Sequence, residues 1–285
     1  MKLCLGTAQF GMNYGIKNFR GKIPDNEITE ILNYASNNSI TTIDTASAYG
    51  NSEAILGKCM SNTNSNFKFI TKYQDGIDIS PCESIDNSLK SINIQVLYGY
   101  LFHNFSIYKK QPDYMDDFIK LKEAGKTKKI GFSLYYPCEA EFIMKNNIPC
   151  DIVQIPYNLF DQRFSYLFND LNKYGIEIHV RSIFLQGLLL MDESKLNNGF
   201  ISIKDKFKKI MIIANKHNIN VATLCLSIAA NNNAITCIVI GIDSINNLMD
   251  NVECYRLIKG KKINDDDFSD LTVDDENIIL PFNWV

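Results

Sequence analysis

The sequence predicts a single (β/α)8 barrel of the TIM-barrel class, and three observations carry that reading. Eight short apolar runs of strand character alternate with longer segments of helical period along 285 residues. Alternation of this kind builds a parallel sheet with helices on its faces. The run G-x-G-x-x-G, which a doubly wound dinucleotide-binding sheet carries after its first strand, is absent. No Pro/Gly/Ser-rich linker divides the chain, and α/β barrels commonly reach this length as one unit, so one domain over residues 1–285 is expected.

The strands are predicted at Leu3–Leu5, Thr42–Asp44, Phe69–Thr71, Val96–Phe102, Ile130–Phe132, Ile152–Ile155, Ile176–Val180 and Ile238–Ile240. Their near-continuous apolar character fits burial on both faces. Between the first two, Ile28, Ile31, Leu32 and Ala35 recur at helical spacing, with Asp25 as the expected N-cap. Phe207, Ile210, Met211 and Ala214 repeat the pattern, as do Ala222, Cys225, Leu226 and Ala229. Gly125 and Gly175 fall where a helix ends before the next strand, the position that favours glycine. The Gly125-Lys126-Thr127 run has Lys120 where a phosphate-binding loop needs its upstream glycine, and reads as a helix cap followed by a basic turn.

Composition narrows the function classes. Hydrophobic residues make up 46 % of the chain and aromatics 11 %, enough for a full-sized core rather than a disordered chain. Net charge is −3, with no basic stripe interleaved with aromatics, so no nucleic-acid partner is expected. The acidic stretches at Asp265 to Asp267 and Asp274 to Glu276 read as solvated surface. The eight cysteines are scattered without a C-x-x-C pair, which gives no support to a zinc ribbon or thioredoxin chemistry. The N-terminal apolar run breaks too early for a signal peptide, and no uninterrupted apolar stretch reaches the ~18 residues of a membrane helix. A reduced, cytoplasmic enzyme without a membrane partner is the expectation.

Barrel enzymes place their chemistry on loops at the C-terminal ends of the strands. Strand two runs through Asp44 toward Tyr49, strand three ends at Thr71-Lys72, and strand four ends at Phe102-His103. Each residue has a plain alternative: a turn or N-cap for Asp44, loop packing for Tyr49, a surface lysine, a satisfied core histidine. Those alternatives must hold independently at matching strand ends. The four types also make chemical sense together. Hydride reduction of a carbonyl puts charge on oxygen, which needs a proton donor and hydrogen bonds. A phenol with an ordinary pKa near ~10 is a weak acid, and a neighbouring ammonium lowers that value. A carboxylate holds the ammonium, and an imidazole orients the carbonyl.

The segments Leu5-Gly6-Thr7-Ala8, Asp44-Thr45-Ala46 to Tyr49-Gly50, Thr71-Lys72 and Leu101-Phe102-His103-Asn104 resemble the aldo-keto reductase superfamily in order and spacing. The likeness runs nearly the whole chain and includes Pro281 and Trp284. It implies a Tyr general acid/base at Tyr49, tuned by Lys72 and Asp44, with His103 positioning a small-molecule carbonyl substrate.

The same resemblance implies a dinucleotide lying extended across the strand ends, where Gly6, Thr7, Ala8 and Asp44 fall. Ser133 and Gln154 would hold the carboxamide, with Leu134 where many members have Asn. Arg181 stands where many members stack an aromatic on nicotinamide, and a guanidinium can also stack on a ring face. Ser182, Phe184, Gln186 and Gly187 match the pyrophosphate loop. Gly241, Asp243, Asn247, Asp250 and Asn251 match the adenosine loop and helix, with Asp243 or Ser244 as helix cap. The family default is NADPH. A 2′-phosphate wants Lys or Arg, however, and Asn247, Gly241 and Asp243 offer none, which leaves NADH open.

The long first loop, Met12 to Gly21, carries Tyr14, Phe19, Lys17 and Arg20 and suits a polar, sugar-like ligand. The overall pattern is also similar to aldo-keto reductases encoded with bacterial surface-polysaccharide genes, which implies a keto-sugar or sugar-nucleotide carbonyl. Two rival readings are a nucleotide-binding sensor or regulatory barrel and a lyase or isomerase barrel using Lys72 as a Schiff base.

Overall fold

In a computed structural model the eight strands close into a barrel in sequential order, each pairing in parallel with its neighbours. The structure describes residues 1–16, 18, 20–61, 63, 65–74, 79–261, 263–264 and 266–284. Expectations that involve Lys17, Phe19 and Asp265 lie outside the described residues. The first half comprises β1 (Leu3–Gly6), the single turn α1 (Ala8–Gly11), α2 (Asp25–Asn37), β2 (Thr42–Asp44), α3 (Ser52–Met60), β3 (Lys68–Tyr73), α4 (Pro81–Ile92), β4 (Leu97–Phe102), α5 (Phe105–Lys110) and α6 (Tyr114–Glu123). The second half comprises β5 (Thr127–Ser133), α7 (Pro137–Lys145), β6 (Ile152–Pro156), α8 (Phe168–Lys173), β7 (Glu177–Arg181), α9 (Lys204–Lys216), α10 (Val221–Ala230), β8 (Ile235–Gly241) and α11 (Ile245–Ile258). The short turns α12 (Asp266–Ser269) and α13 (Glu276–Ile279) follow.

All eight apolar runs are strands. Several are longer than the apolar pattern because pairing continues into polar residues at the barrel ends: β3 takes in Lys68 and Lys72, and β5 begins at Thr127. Val96 precedes β4 rather than opening it and is 41 % exposed. Ile176 likewise precedes β7, although it is buried. Gly125 and Gly175 adopt φ of +75° and +73°, which closes α6 and α8 before the next strand without the penalty a Cβ would incur.

Three local readings are corrected. Asp25 is the first residue of α2 rather than its cap; Pro24 precedes the helix, and the Asp25 carboxylate takes Lys58 at 2.8 Å. That carboxylate still lies at the positive end of the helix dipole. In α9 the buried stripe is Phe207, Ile210, Ile213 and Ala214, while Met211 is 51 % exposed, because the helix turns Ile213 inward in its place. The acidic C-terminal segment is not simply solvated. Asp267 pairs with Lys216 at 2.8 Å and His217 at 3.0 Å, Glu276 lies 3.7 Å from Arg163, and Asp275 caps α13.

The main core lies between the strands and the helices, and alternate strand residues divide the two sides of the barrel wall. Leu3 and Leu5 join that core, whereas Cys4 between them joins Cys237 and Val239, and Ile70 joins Leu101 and Ile152, filling the barrel's interior. At the N-terminal strand ends Glu177 accepts hydrogen bonds from Tyr98 at 2.8 Å and Lys129 at 2.7 Å and meets His179 Nε2 at 3.3 Å. This charged cluster plugs one end of the barrel.

Candidate active site

The C-terminal strand ends open onto a cavity of about 540 Å³ lined by Asp44, Tyr49, Lys72 and His103 together. Asp44 ends β2, Lys72 lies in β3, and His103 follows β4, its N–H bonded to the Tyr73 carbonyl at 2.9 Å. The Lys72 ammonium donates to both Asp44 oxygens at 2.8 and 2.7 Å and to the Thr45 carbonyl at 2.9 Å. All three of its donors are thereby satisfied. Gln154 Nε2 donates to Asp44 Oδ1 at 2.7 Å, so β2, β3 and β6 are tied across the barrel mouth.

Tyr49 sits on the turn into α3, and close backbone crossing fixes that turn. A Cβ at Gly11 would lie 1.8 Å from the Tyr49 carbonyl, and Gly50, at φ +58°, passes the Gly11 carbonyl. Only glycine fits either position. Ser52 braces the turn by donating to Thr7. The Tyr49 ring meets His103 edge-on at 5.8 Å between centroids, and the Lys72 ammonium stands 5.2 Å from the Tyr49 centroid.

Electrostatics assign states to these groups. Burial pulls the Lys72 pKa down, but Asp44 and Tyr49 outweigh it and hold the ammonium above its ordinary value. Burial, with the Lys72 and Arg181 charges, pulls His103 down to about 3, so its imidazole is neutral at pH 7. The expectation that Lys72 leaves Tyr49 with a lowered pKa is corrected. Lys72 and Arg181 do lower it, but burial and Asp44 raise it by more. Tyr49 is therefore a protonated phenol at neutral pH.

The wider cavity gathers Gly6, Thr7, Ala8, Ser133, Gln154, Arg181, Ser182, Phe184, Gln186, Gly187, Gly241, Asp243 and Asn247. Asp250 and Asn251 do not line it. Asp250 is exposed, and buried Asn251 instead donates to Asn247 Oδ1 at 3.3 Å. Ser244 rather than Asp243 caps α11, accepting from the Asn247 N–H at 3.1 Å. Arg181 stacks at 4.3 Å on Tyr135 and donates to the Leu134 carbonyl at 3.1 Å. After β7 the backbone is strained: Ser182, Leu185 and Gln186 hold φ of +59°, +47° and +52°. Each such residue costs about 1–3 kcal/mol and persists mainly where function requires it.

The aldo/keto reductase family profile matches residues 2–271. The chain belongs to that family. An aldo-keto reductase from Bacillus halodurans, solved in its holo form, superposes with a TM-score of 0.74 at 17 % identity, covering 95 % of this chain and 90 % of that one. A Pseudomonas aeruginosa protein assigned to the aldo-keto reductases gives 0.68 at 19 % identity over 90 % of each chain. At these identities the likeness speaks for the fold alone. The comparison with curated proteins finds no match. Family membership carries oxidoreductase chemistry on carbonyl compounds with a nicotinamide cofactor.

The aldo/keto reductase site fits such a cofactor on its own geometry. Gly6 and Gly241 are register partners at the ends of β1 and β8, so the wall there is bare backbone. Gln9, 9 % exposed and lining the cavity, has an Oε1 without a hydrogen-bond partner among the described residues, a buried acceptor of the kind a ligand satisfies. Gln9 escaped the sequence reading, as did Asn18, Tyr135, Leu190 and Phe282. Gln9 lies in a single-turn helix too short to show a period. Tyr135 and Phe282 meet at 4.9 Å only after the C-terminal tail returns to the barrel mouth. The tail was singled out for Pro281 and Trp284; Pro281 lines the cavity, and Trp284 packs on Phe200 at 5.2 Å.

Proposed function

We propose that this aldo/keto reductase reduces a small polar aldehyde or ketone to the alcohol, a keto-sugar or sugar nucleotide being the preferred class, with Tyr49 as general acid/base. The single observation that carries the reading is one cavity holding a protonated Tyr49 between a fully paired Lys72 and a neutral His103. NADPH or NADH would supply the hydride when bound, with Ser133 and Gln154 at its carboxamide, Arg181 near the nicotinamide, Gly6, Thr7, Ala8 and Asp44 along the strand ends, Ser182, Phe184, Gln186 and Gly187 at its pyrophosphate, and Gly241, Asp243 and Asn247 toward its adenosine.

The chain's own groups then handle charge and proton. As the substrate carbonyl is reduced, the Tyr49 hydroxyl gives its proton to the developing alkoxide, and the neutral His103 imidazole donates a hydrogen bond to the same oxygen. The tyrosinate left behind is stabilised by the Lys72 ammonium, which cannot wander because Asp44 and Thr45 occupy its donors. Gln154 fixes the Asp44 carboxylate in turn. Tyr14, Tyr135 and Phe282 at the cavity give faces for a sugar-like ring, and Asn18 gives a polar contact.

A Schiff-base role for Lys72 needs a neutral, reachable amine. Its side chain is 0 % exposed and held protonated, which disfavours that rival. The complete Tyr-Lys-Asp-His set also favours turnover over a barrel that only binds a nucleotide. A cytoplasmic location fits the eight free cysteines. The test is Tyr49→Phe, assayed through nicotinamide absorbance with aldehydes, ketones and keto-sugars. The expected loss in kcat is about 10²–10⁴-fold with cofactor binding retained. Undiminished turnover would remove Tyr49 from the chemistry.

A further inference from the structure

We propose that Glu27 and Arg20 make the adenosine end of the cleft selective against a 2′-phosphate, so that NADH is the preferred coenzyme. The proposal rests on the cofactor reading above and adds a pair of residues far from the adenosine loop in sequence. Among the described residues, the cation hydrogen-bonded to the loop after β8 is Arg20, whose Nη1 donates to the Asp243 carbonyl at 3.2 Å. A phosphate would have to compete with a carboxylate for it. Its Nη1 and Nη2 are already committed to Glu27 Oε1 and Oε2 at 3.1 and 2.8 Å, a two-pronged carboxylate pair.

Glu27 is the fixed member of that pair. Its Oε1 accepts the Ile245 N–H at 3.0 Å at the start of α11, and its side chain is 14 % exposed against 55 % for Arg20. The Arg20 guanidinium holds the Glu27 carboxyl below its ordinary range, so its charge persists at neutral pH. Asp243 adds a second carboxylate, which lines the cavity and is engaged by the Ser244 hydroxyl at 2.9 Å. Among the described residues, the Glu27 and Asp243 carboxylates outnumber the Arg20 guanidinium beside this loop. A phosphomonoester, with about −1.5 to −2 charges at pH 7, is repelled there unless Arg20 abandons Glu27. A ribose 2′-hydroxyl meets carboxylate acceptors and no repulsion.

The test is direct binding, read from quenching of protein fluorescence by NADH and NADPH at low and high salt, on the wild type and on Glu27→Gln. Gln keeps an oxygen for the Ile245 N–H while releasing Arg20. The wild type should bind NADH about tenfold more tightly than NADPH, with the ratio narrowing as salt rises. In Glu27→Gln the ratio should move about tenfold toward NADPH. Asp243→Asn should shift it in the same direction, and serves if Glu27→Gln fails to fold. A wild type that binds NADPH as tightly as NADH would overturn the proposal while leaving the oxidoreductase reading intact. So would variants that alter both affinities alike. Binding of neither nucleotide would remove both.

Discussion

Replacing Asp44 by Asn tests the centre of the site more sharply than removing Tyr49, because it alters one charge while nearly preserving shape. The Asp44 carboxylate accepts two bonds from Lys72 and one from Gln154, all between 2.7 and 2.8 Å. An amide offers one acceptor and turns its NH2 toward a donor on one side. Lys72, with 0 % side-chain exposure, is then left as a buried cation without a counter-charge, its acceptors one amide oxygen and the Thr45 carbonyl. Breaking one side of a buried ion pair costs about 3–5 kcal/mol. At roughly 2–4 °C per kcal/mol for a chain near this size, the melting temperature should fall by about 10 °C. Lys72→Met should cost a similar amount by stranding Asp44. The double variant Asp44→Asn/Lys72→Met strands no charge and should lose clearly less than the two singles added. Catalysis gives a second reading. Burial is the largest influence on Lys72, and without Asp44 the main force opposing it is lost, which moves the pKa down. Turnover of Asp44→Asn should therefore survive at low pH and fall as pH rises through the new Lys72 value. Additive thermal losses, or an alkaline limb identical to the wild type, would refute the paired-charge argument.

Two further predictions concern pH. His103 sits at about 3 in the folded chain against an ordinary 6.5, so between those values the unfolded chain binds a proton the native state lacks. Stability should fall as pH drops through that window, and His103→Gln should flatten this part of a urea-denaturation profile; an unchanged slope would count against it. Burial raises Glu177, but His179, Lys129 and Tyr98 outweigh it and hold the carboxyl at about 2, below its ordinary 4.5. Its contribution is thus present above pH 4.5 and lost as pH falls toward 2. Glu177→Gln should cost about 2 kcal/mol at neutral pH and leave kcat unchanged, since Glu177 lies at the opposite end of the barrel from the cavity.

The fold was legible because each strand is buried on both faces, and that demand leaves a continuous apolar run whatever the neighbouring sequence. The ends were less legible. The residues that extend β3 and β5, Lys68, Lys72 and Thr127, are polar because they meet the charged floor or the cavity, so apolarity stops before pairing does. Met211 was misread because an i, i+4 step and an i, i+3 step both continue a helical stripe, and only packing chooses Ile213.

The site divides along the same line. Asp44, Tyr49, Lys72 and His103 each follow or end a strand, so position in the unit announces them, and their types make sense as a set. What position cannot announce is the balance of forces on them. Lys72 lowers the Tyr49 pKa as chemistry suggests, yet the same closure that brings the ammonium near also strips water from the phenol, and the second effect is larger. The end of the cleft proposed for adenosine is the harder case. The loop after β8 has no cation of its own, and that absence was readable. Among the described residues, the cation that reaches the loop belongs to Arg20, 223 residues earlier, and Glu27 on α2 restrains it. In a closed barrel β1 and β8 are neighbours, so the first and last loops share a rim. A charge missing from one must be sought in the other, and its sign there depends on the partner it already holds.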